Sequence, residues 1–170
     1  MKIKIIYFIL ICMGLVTINS CKGSYSFTGA DIDANIKTIT IEYFQNRASL
    51  VQPNLSNVFT EALKDKFVSQ TNLELINYNG DLKLQGEITN YNVTAQSFQG
   101  NETAALNRLT ITVRVKYTNS IESTKDFDTS FSRYADFQSS QSLSAVETNL
   151  IQEISEELAI DIFNKAVANW

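Results

Sequence analysis

Apolar and polar residues alternate through most of the chain beyond its N-terminal segment. Apolar side chains at every second position predict strands with one buried and one polar face. The clearest example runs from Leu109 to Tyr117, where Leu, Ile, Val, Val and Tyr are separated by Thr, Thr, Arg and Lys. The pattern predicts five strands, at 37–44, 73–78, 82–88, 109–117 and 127–133.

The dipeptide Asn79-Gly80 separates the second and third predicted strands. Asn-Gly between alternating segments is typical of a hairpin, because a type I′ turn needs positive φ at both central residues. Such a turn sets Leu75 opposite Leu84 and keeps the apolar residues of both strands on one face. The sequence therefore predicts an antiparallel pair at this point.

Apolar residues recur at intervals of three and four in two other segments, which is the pattern of an amphipathic helix. Pro53, the only proline, opens the first helix, where its missing N–H needs no partner. Ser144 and Glu147 form a capping box that opens the second, predicted to run to Trp170. The apolar stripes are Leu55, Val58, Phe59, Ala62, Leu63 and Phe67 in the first helix and Leu150, Ile151, Ile154, Leu158 and Ile162 in the second.

The predicted order of elements is β-α-β-β-β-β-α. Two amphipathic helices on one face of a mixed, mostly antiparallel sheet make a two-layer α+β domain. The other sheet face is polar, and it is either an ordinary solvated face or a surface fitted to a polar, water-lined cavity. The side chains predicted to lie on it are Thr38, Thr40, Glu42, Lys83, Gln85, Glu87, Thr110, Thr112, Arg114, Lys116, Asp128, Ser130 and Ser132.

One end of the sheet combines two connections rich in Gln, Asn and Ser, at 96–106 and 135–143. If the strands run up and down, both connections fall at this end, and Arg133 and Tyr134 lie near it. We expect this end to offer hydrogen bonds to a partner or a sugar.

The first twenty residues differ in kind from the rest. Lys2 and Lys4 precede an uncharged apolar run from Ile5 to Ile18, which is the pattern of an export signal. The run is shorter than the roughly 20 residues that span a bilayer as a helix. The segment ends in Ile18-Asn19-Ser20-Cys21, which resembles the bacterial lipobox and implies cleavage between Ser20 and Cys21. An ordinary secretory signal or a short anchor is the alternative.

The lipobox implies that Cys21 carries a diacylglyceryl group and an N-linked acyl chain, which together anchor the protein to a membrane. The predicted organisation is a signal peptide at 1–20, a lipidated tether at 21–35 and one domain at 36–170. Lys22, rather than Asp, follows the cysteine. By resemblance to the sorting rules for such lipoproteins, this favours the periplasmic side of the outer membrane.

The chain of 170 residues has no histidine, two cysteines and a net charge of -4. The missing histidine excludes Ser-His-Asp and Cys-His catalysis and imidazole metal ligands. The acidic balance argues against nucleic acid as a partner, because phosphate neutralisation needs clustered Lys and Arg. We predict no catalytic residue, no metal site and no cofactor.

Two groups of acidic residues are candidate sites. Asp31, Asp33, Asn35 and Glu42 follow the spacing of a calcium loop, but Ile36 stands where the turn needs glycine. We expect a solvated linker there. The second group, Asp126, Asp128 and Asp136, lacks any accompanying motif, so protection of hairpin edges is the preferred interpretation.

The order of elements behind a lipobox resembles the LptE family, the lipoprotein component of lipopolysaccharide assembly. The resemblance covers nearly all of the mature chain. Its matching segments are specific for the family when taken together, but each is weak evidence alone. It is carried by Asn54–Phe67 as the first helix, Gly80–Leu84, Asn101–Ile111 and Phe131–Phe137.

The resemblance implies a non-enzymatic plug and assembly subunit inside an LptD-type β-barrel, with lipopolysaccharide as the second partner. In the family, basic loop residues contact lipopolysaccharide. Arg108, Arg133, Asn101 and Tyr134 are the candidates for such contacts here. The alternative function is an outer-membrane lipoprotein that binds a small ligand or activates a periplasmic envelope enzyme.

Overall fold

The computed structural model describes residues 32–50, 52–96 and 105–167. Ser20, Cys21, Asn101 and Trp170 lie outside this part, as do the predicted signal peptide and most of the tether. The described elements are β1 (Thr38–Ile41), β2 (Gln45–Asn46), α1 (Leu55–Gln70), β3 (Glu74–Leu75), β4 (Leu82–Gln96), β5 (Leu106–Asn119), a 3₁₀ turn (Ser123–Lys125), β6 (Phe127–Gln138) and α2 (Leu143–Val167).

The six described strands form one mixed sheet in the order β3-β1-β4-β5-β6, with the short β2 also paired to β4. β1 runs parallel to both of its neighbours, whereas β5 is antiparallel to β4 and to β6. This confirms the two-layer α+β fold, with β2 as an additional element. Gln96, Leu106 and Gln138 pair in one row, so both predicted connections start from the same end of the sheet. The predicted start of the second connection at 135 is wrong, because β6 continues to Gln138, and most of the first connection, 97–104, lies outside the described residues.

The predicted hairpin at Asn79-Gly80 is wrong. β3 pairs with β1 rather than with β4, and Leu75 and Leu82 both lie level with Ile39. The connection between them therefore crosses β1. Asn79 does have a positive φ of 57°. Gly80 is required for another reason, because a Cβ there would lie 2.7 Å from the Thr40 backbone nitrogen.

β4 contains a bulge between Ile88 and Asn90. Thr89 is the extra residue, since Ile88 pairs with Val113 and Asn90 with Thr112. The bulge returns Tyr91 to the face that holds Ile88, and both are buried. The apolar face of this long strand is therefore continuous despite the break in its alternation.

The core lies between the sheet and the two helices. α1 and α2 bury the stripes that their sequence pattern predicts, with Val58 and Ala62 at the margin of the core. Phe67 of α1 meets Phe163 of α2 with ring centroids 5.1 Å apart. The predicted extension of α2 to Trp170 lies outside the described residues.

The predicted capping box at the start of α2 is wrong. The helix begins at Leu143, so Ser144 lies inside it rather than before it. The Glu147 carboxylate accepts a hydrogen bond from the Tyr91 hydroxyl of β4. Glu147 therefore joins the first turns of α2 to the sheet. Burial is the main cause that raises the pKa of the Tyr91 hydroxyl, and the hydrogen bond to Glu147 raises it further.

Candidate functional site

The polar face of the sheet, which the helices do not cover, carries three ion pairs between neighbouring parts of the sheet. Lys83 of β4 lies 2.7 Å from Glu42, which follows β1. Arg114 of β5 binds Asp128 of β6 through two hydrogen bonds of 2.9 and 3.1 Å. Arg108 and Asp136 form the third pair, at the loop-rich end. These pairs leave the face polar but locally charge-balanced.

Thr40 is the exception on the predicted polar face. It is only 3% exposed, because the connection between β3 and β4 passes over it. Its hydroxyl accepts a hydrogen bond of 3.0 Å from the Gly80 N–H. Thr40 is therefore a support for that connection and is removed from solvent.

Asp81 fastens the end of the same connection to β1. Its carboxylate accepts hydrogen bonds from the Lys37 and Thr38 N–H groups and from the Thr38 hydroxyl, at 2.8 to 3.0 Å. The Thr38 hydroxyl accepts one in return from the Asp81 N–H. The hydrogen bond from the Lys37 N–H is the main cause that lowers the pKa of the Asp81 carboxyl, and the two hydrogen bonds from Thr38 lower it further. We call these contacts the Asp81 clasp.

Arg108, Tyr134 and Asp136 form a compact cluster at the loop-rich end. The Arg108 guanidinium donates two hydrogen bonds, of 2.7 and 2.8 Å, to the Asp136 carboxylate. Its central carbon lies 3.5 Å from the centroid of the Tyr134 ring. A guanidinium held at one edge and one face is oriented, and its remaining N–H groups can donate to a phosphate or a hydroxyl.

The charges within this cluster stabilise each other. Hydrogen bonding to Arg108 holds the pKa of the Asp136 carboxyl below its usual range. Hydrogen bonding to Asp136 raises the pKa of Arg108. Both groups therefore stay ionised near neutral pH.

The candidate residues are not all brought together. Tyr134 and Arg108 share the polar face, but Arg133 belongs to the helix side, where it binds Asp161 of α2 at 2.6 and 2.7 Å. Neighbouring residues of a strand point to opposite faces, so Arg133 cannot join Tyr134. Asn101 lies outside the described residues, and its role stays a prediction.

Sequence reasoning missed Asp136 as the partner of Arg108. The predicted fifth strand ends at Arg133, whereas β6 continues to Gln138. Extending the alternation through Ala135 and Phe137, which are both buried, places Asp136 on the polar face, and the register of β5 and β6 sets it opposite Arg108.

The carboxylates of Asp126, Asp128 and Asp136 do not form a cluster. Asp128 and Asp136 are each held by a different arginine, and Asp126 accepts a hydrogen bond of 2.7 Å from the Asn119 N–H. Within the described ranges, no group of three or more acidic or cysteine side chains is arranged to hold a metal ion. In the same ranges, neither helix is long and apolar enough to cross a bilayer.

Comparison with known proteins identifies the family. The model of the LptE lipopolysaccharide-assembly family matches residues 36–166. The chain belongs to the LptE family. This confirms the resemblance noted from the sequence, and it assigns the protein a general role in lipopolysaccharide assembly within a family of envelope lipoproteins. The family's part in that assembly is non-enzymatic.

Comparison with solved structures shows the fold at low sequence identity. A minor lipoprotein from Acinetobacter baumannii is 16% identical, with a TM-score of 0.52 over 76% of this chain and 91% of that one. A hypothetical protein from Chlamydia trachomatis is 14% identical, with a TM-score of 0.49 over 79% and 99%. No curated protein matches the chain. At these identities the first likeness supports the fold of this LptE chain.

Proposed function

We propose that this protein is the lipid-anchored LptE subunit of an outer-membrane lipopolysaccharide translocon. In this role it sits within an LptD-type β-barrel, supports the assembly of the barrel and helps to insert lipopolysaccharide into the outer leaflet. The family match over residues 36–166 carries the proposal.

The charge-balanced sheet face is the surface that suits the barrel interior. Lys83, Arg108 and Arg114 are each bound by a carboxylate from a neighbouring part of the sheet, which lowers the cost of turning this face toward a polar lumen. Arg108 and Tyr134, at one end of this face, are the proposed contacts to lipopolysaccharide. The oriented guanidinium suits phosphate, and the ring suits the apolar side of a sugar.

Co-purification tests the proposal. The tagged full-length protein, extracted in mild detergent, is expected to bring an LptD-type barrel with it in a near one-to-one ratio. Recovery of the lipoprotein alone would contradict the proposal. Depletion is also expected to make cells sensitive to large hydrophobic antibiotics.

A charge reversal tests the surface. Arg114→Glu places a new carboxylate beside Asp128 on the polar face, and we expect it to reduce the recovered barrel at least severalfold. Lys64→Glu is the matched control, because Lys64 also pairs with a carboxylate, Glu61, but on the exposed side of α1. Equal recovery with both variants would show that the polar face does not contact the barrel.

A further inference from the structure

A groove of about 330 Å³ lies where the β3–β4 connection crosses β1. Tyr43, Tyr78, Asn77 and Asn79 line it, together with the Glu42–Lys83 ion pair. Lys83 pairs with Thr118, which lies at the opposite end of β5 from Arg108. The groove is therefore distinct from the Arg108 cluster.

Two tyrosine rings are presented to solvent in this groove. Tyr78 is 82% exposed and Tyr43 is 56% exposed. In the part of the chain that the structure describes, neither ring makes a hydrogen bond or a contact with another ring or a cation. Tyr134, of similar exposure, differs because the Arg108 guanidinium covers one of its two faces. The groove thus offers two uncovered aromatic surfaces.

Amide groups surround these rings. The side chains of Asn77 and Asn79 are exposed and have no hydrogen-bond partner among the described residues. Each amide can donate and accept hydrogen bonds. The Lys83 ammonium and the Glu42 carboxylate lie 2.7 Å apart, so they add a donor and an acceptor but little net charge.

The backbone that carries these groups is fastened on both sides of the groove. The Gly80 N–H binds the Thr40 hydroxyl at 3.0 Å, just after Tyr78 and Asn79. On either side of Tyr43, the Glu42 N–H binds the Leu84 carbonyl at 2.9 Å, and the Phe44 N–H binds the buried Thr60 hydroxyl at 3.2 Å. A groove held in this way needs little ordering when a ligand binds.

We propose that this groove binds a saccharide. A sugar ring has an apolar C–H face, which an exposed tyrosine ring can cover, and a rim of hydroxyl groups, which amides and a charged pair can bind. A simple anion is disfavoured because Lys83 is already neutralised. The sugar belongs either to the core of lipopolysaccharide or to a free glycan built of N-acetylglucosamine. The test needs no barrel, so this proposal and the proposed function fail independently.

Saturation-transfer NMR on the full-length protein in detergent tests the site. Two probes are titrated to millimolar concentration: core oligosaccharide freed of its lipid, and the linear tetramer of N-acetylglucosamine. We expect at least one to bind, with ring C–H protons receiving the strongest transfer. Binding of the first alone assigns the site to lipopolysaccharide, and binding of the second assigns it to a wider range of glycans.

The tyrosine variants locate the bound sugar. Tyr78→Ala and Tyr43→Ala are expected to weaken binding at least tenfold, whereas Tyr78→Phe keeps the ring and most of the affinity. Val68→Ala, at an exposed apolar position of α1 that does not line the groove, is the control and should bind as the wild type does. Unchanged melting temperatures exclude misfolding. Absence of binding to both probes, or equal loss in the Val68→Ala variant, overturns the proposal.

Discussion

At the scale of single residues, the connection over β1 depends on groups whose roles do not follow from their residue types. Gly80 belongs to a dipeptide typical of hairpin turns, yet it is needed because the β1 backbone lies against it. Asp81 resembles an ordinary polar turn residue, yet its carboxylate binds two backbone N–H groups of a segment more than forty positions earlier. Contacts of this range depend on topology, which local sequence does not specify.

The Asp81 clasp predicts a specific dependence of stability on pH. Because the folded state lowers the pKa of Asp81, its contribution to stability is fully present above the unfolded value of about 3.9 and is lost as pH falls through the lower folded value. Asp81→Asn should therefore be less stable than the wild type at neutral pH, and the difference should shrink below about pH 4.

Urea unfolding at a series of pH values measures this difference. Glu153→Gln, at an exposed position of α2, is the control for loss of one negative charge. A difference between the wild type and Asp81→Asn that stayed constant down to pH 2 would show that the clasp does not act through its charge.

At the scale of elements, the sequence predicts faces better than neighbours. Alternation correctly assigns the buried residues of β4 and β5, and the three-four spacing correctly assigns the stripes of both helices. It cannot show that β1 inserts between β3 and β4, because Leu75 and Leu84 lie on the same face of the sheet in either topology, although Leu75 on the outer strand is 38% exposed. The order of the strands depends on long-range pairing, and the local preference of Asn79-Gly80 for a hairpin turn does not determine it.

The bulge in β4 predicts unequal effects of two deletions. Removing Thr89 places Asn90 directly after Ile88 and leaves the apolar face in register, so we expect a loss of less than about 2 kcal/mol in the free energy of unfolding. Removing Gln85 instead moves Leu82 and Leu84 to the polar face. Their lost burial costs about 3 to 6 kcal/mol, close to the whole stability of many domains.

Circular dichroism and urea titration of the two deletion variants make the comparison. A Thr89 deletion that unfolded as completely as the Gln85 deletion would mean that the bulge is required for the sheet itself, for example for its twist.

At the scale of the whole molecule, the site could be predicted only in part. The polar face followed from alternation, and Arg108 with Tyr134 followed from their place near the loops. Arg133 was assigned to the same end by proximity in sequence, although side-chain alternation puts it on the other face, against Asp161. The groove lined by Tyr43 and Tyr78 was not predicted, because it depends on the pairing of β3 with β1.

Membrane attachment is predicted to depend on one cysteine. Cys21→Ser should release the protein from the membrane fraction, because each buried methylene of the acyl chains contributes about 0.8 kcal/mol to anchoring. Cys12→Ser is the matched control, since Cys12 lies in the segment predicted to be removed, and it should leave attachment unchanged. Fractionation followed by immunoblotting gives the distribution, and a Cys21→Ser variant that stayed with the membrane would contradict lipidation at this site.

The position of β1 also has a mechanical consequence. Parallel neighbours hold this strand on both sides, and the Asp81 clasp holds its first residues. A force directed along this strand loads its hydrogen bonds together in shear instead of opening them one at a time. The domain is thereby suited to remain folded while tension acts on the predicted tether.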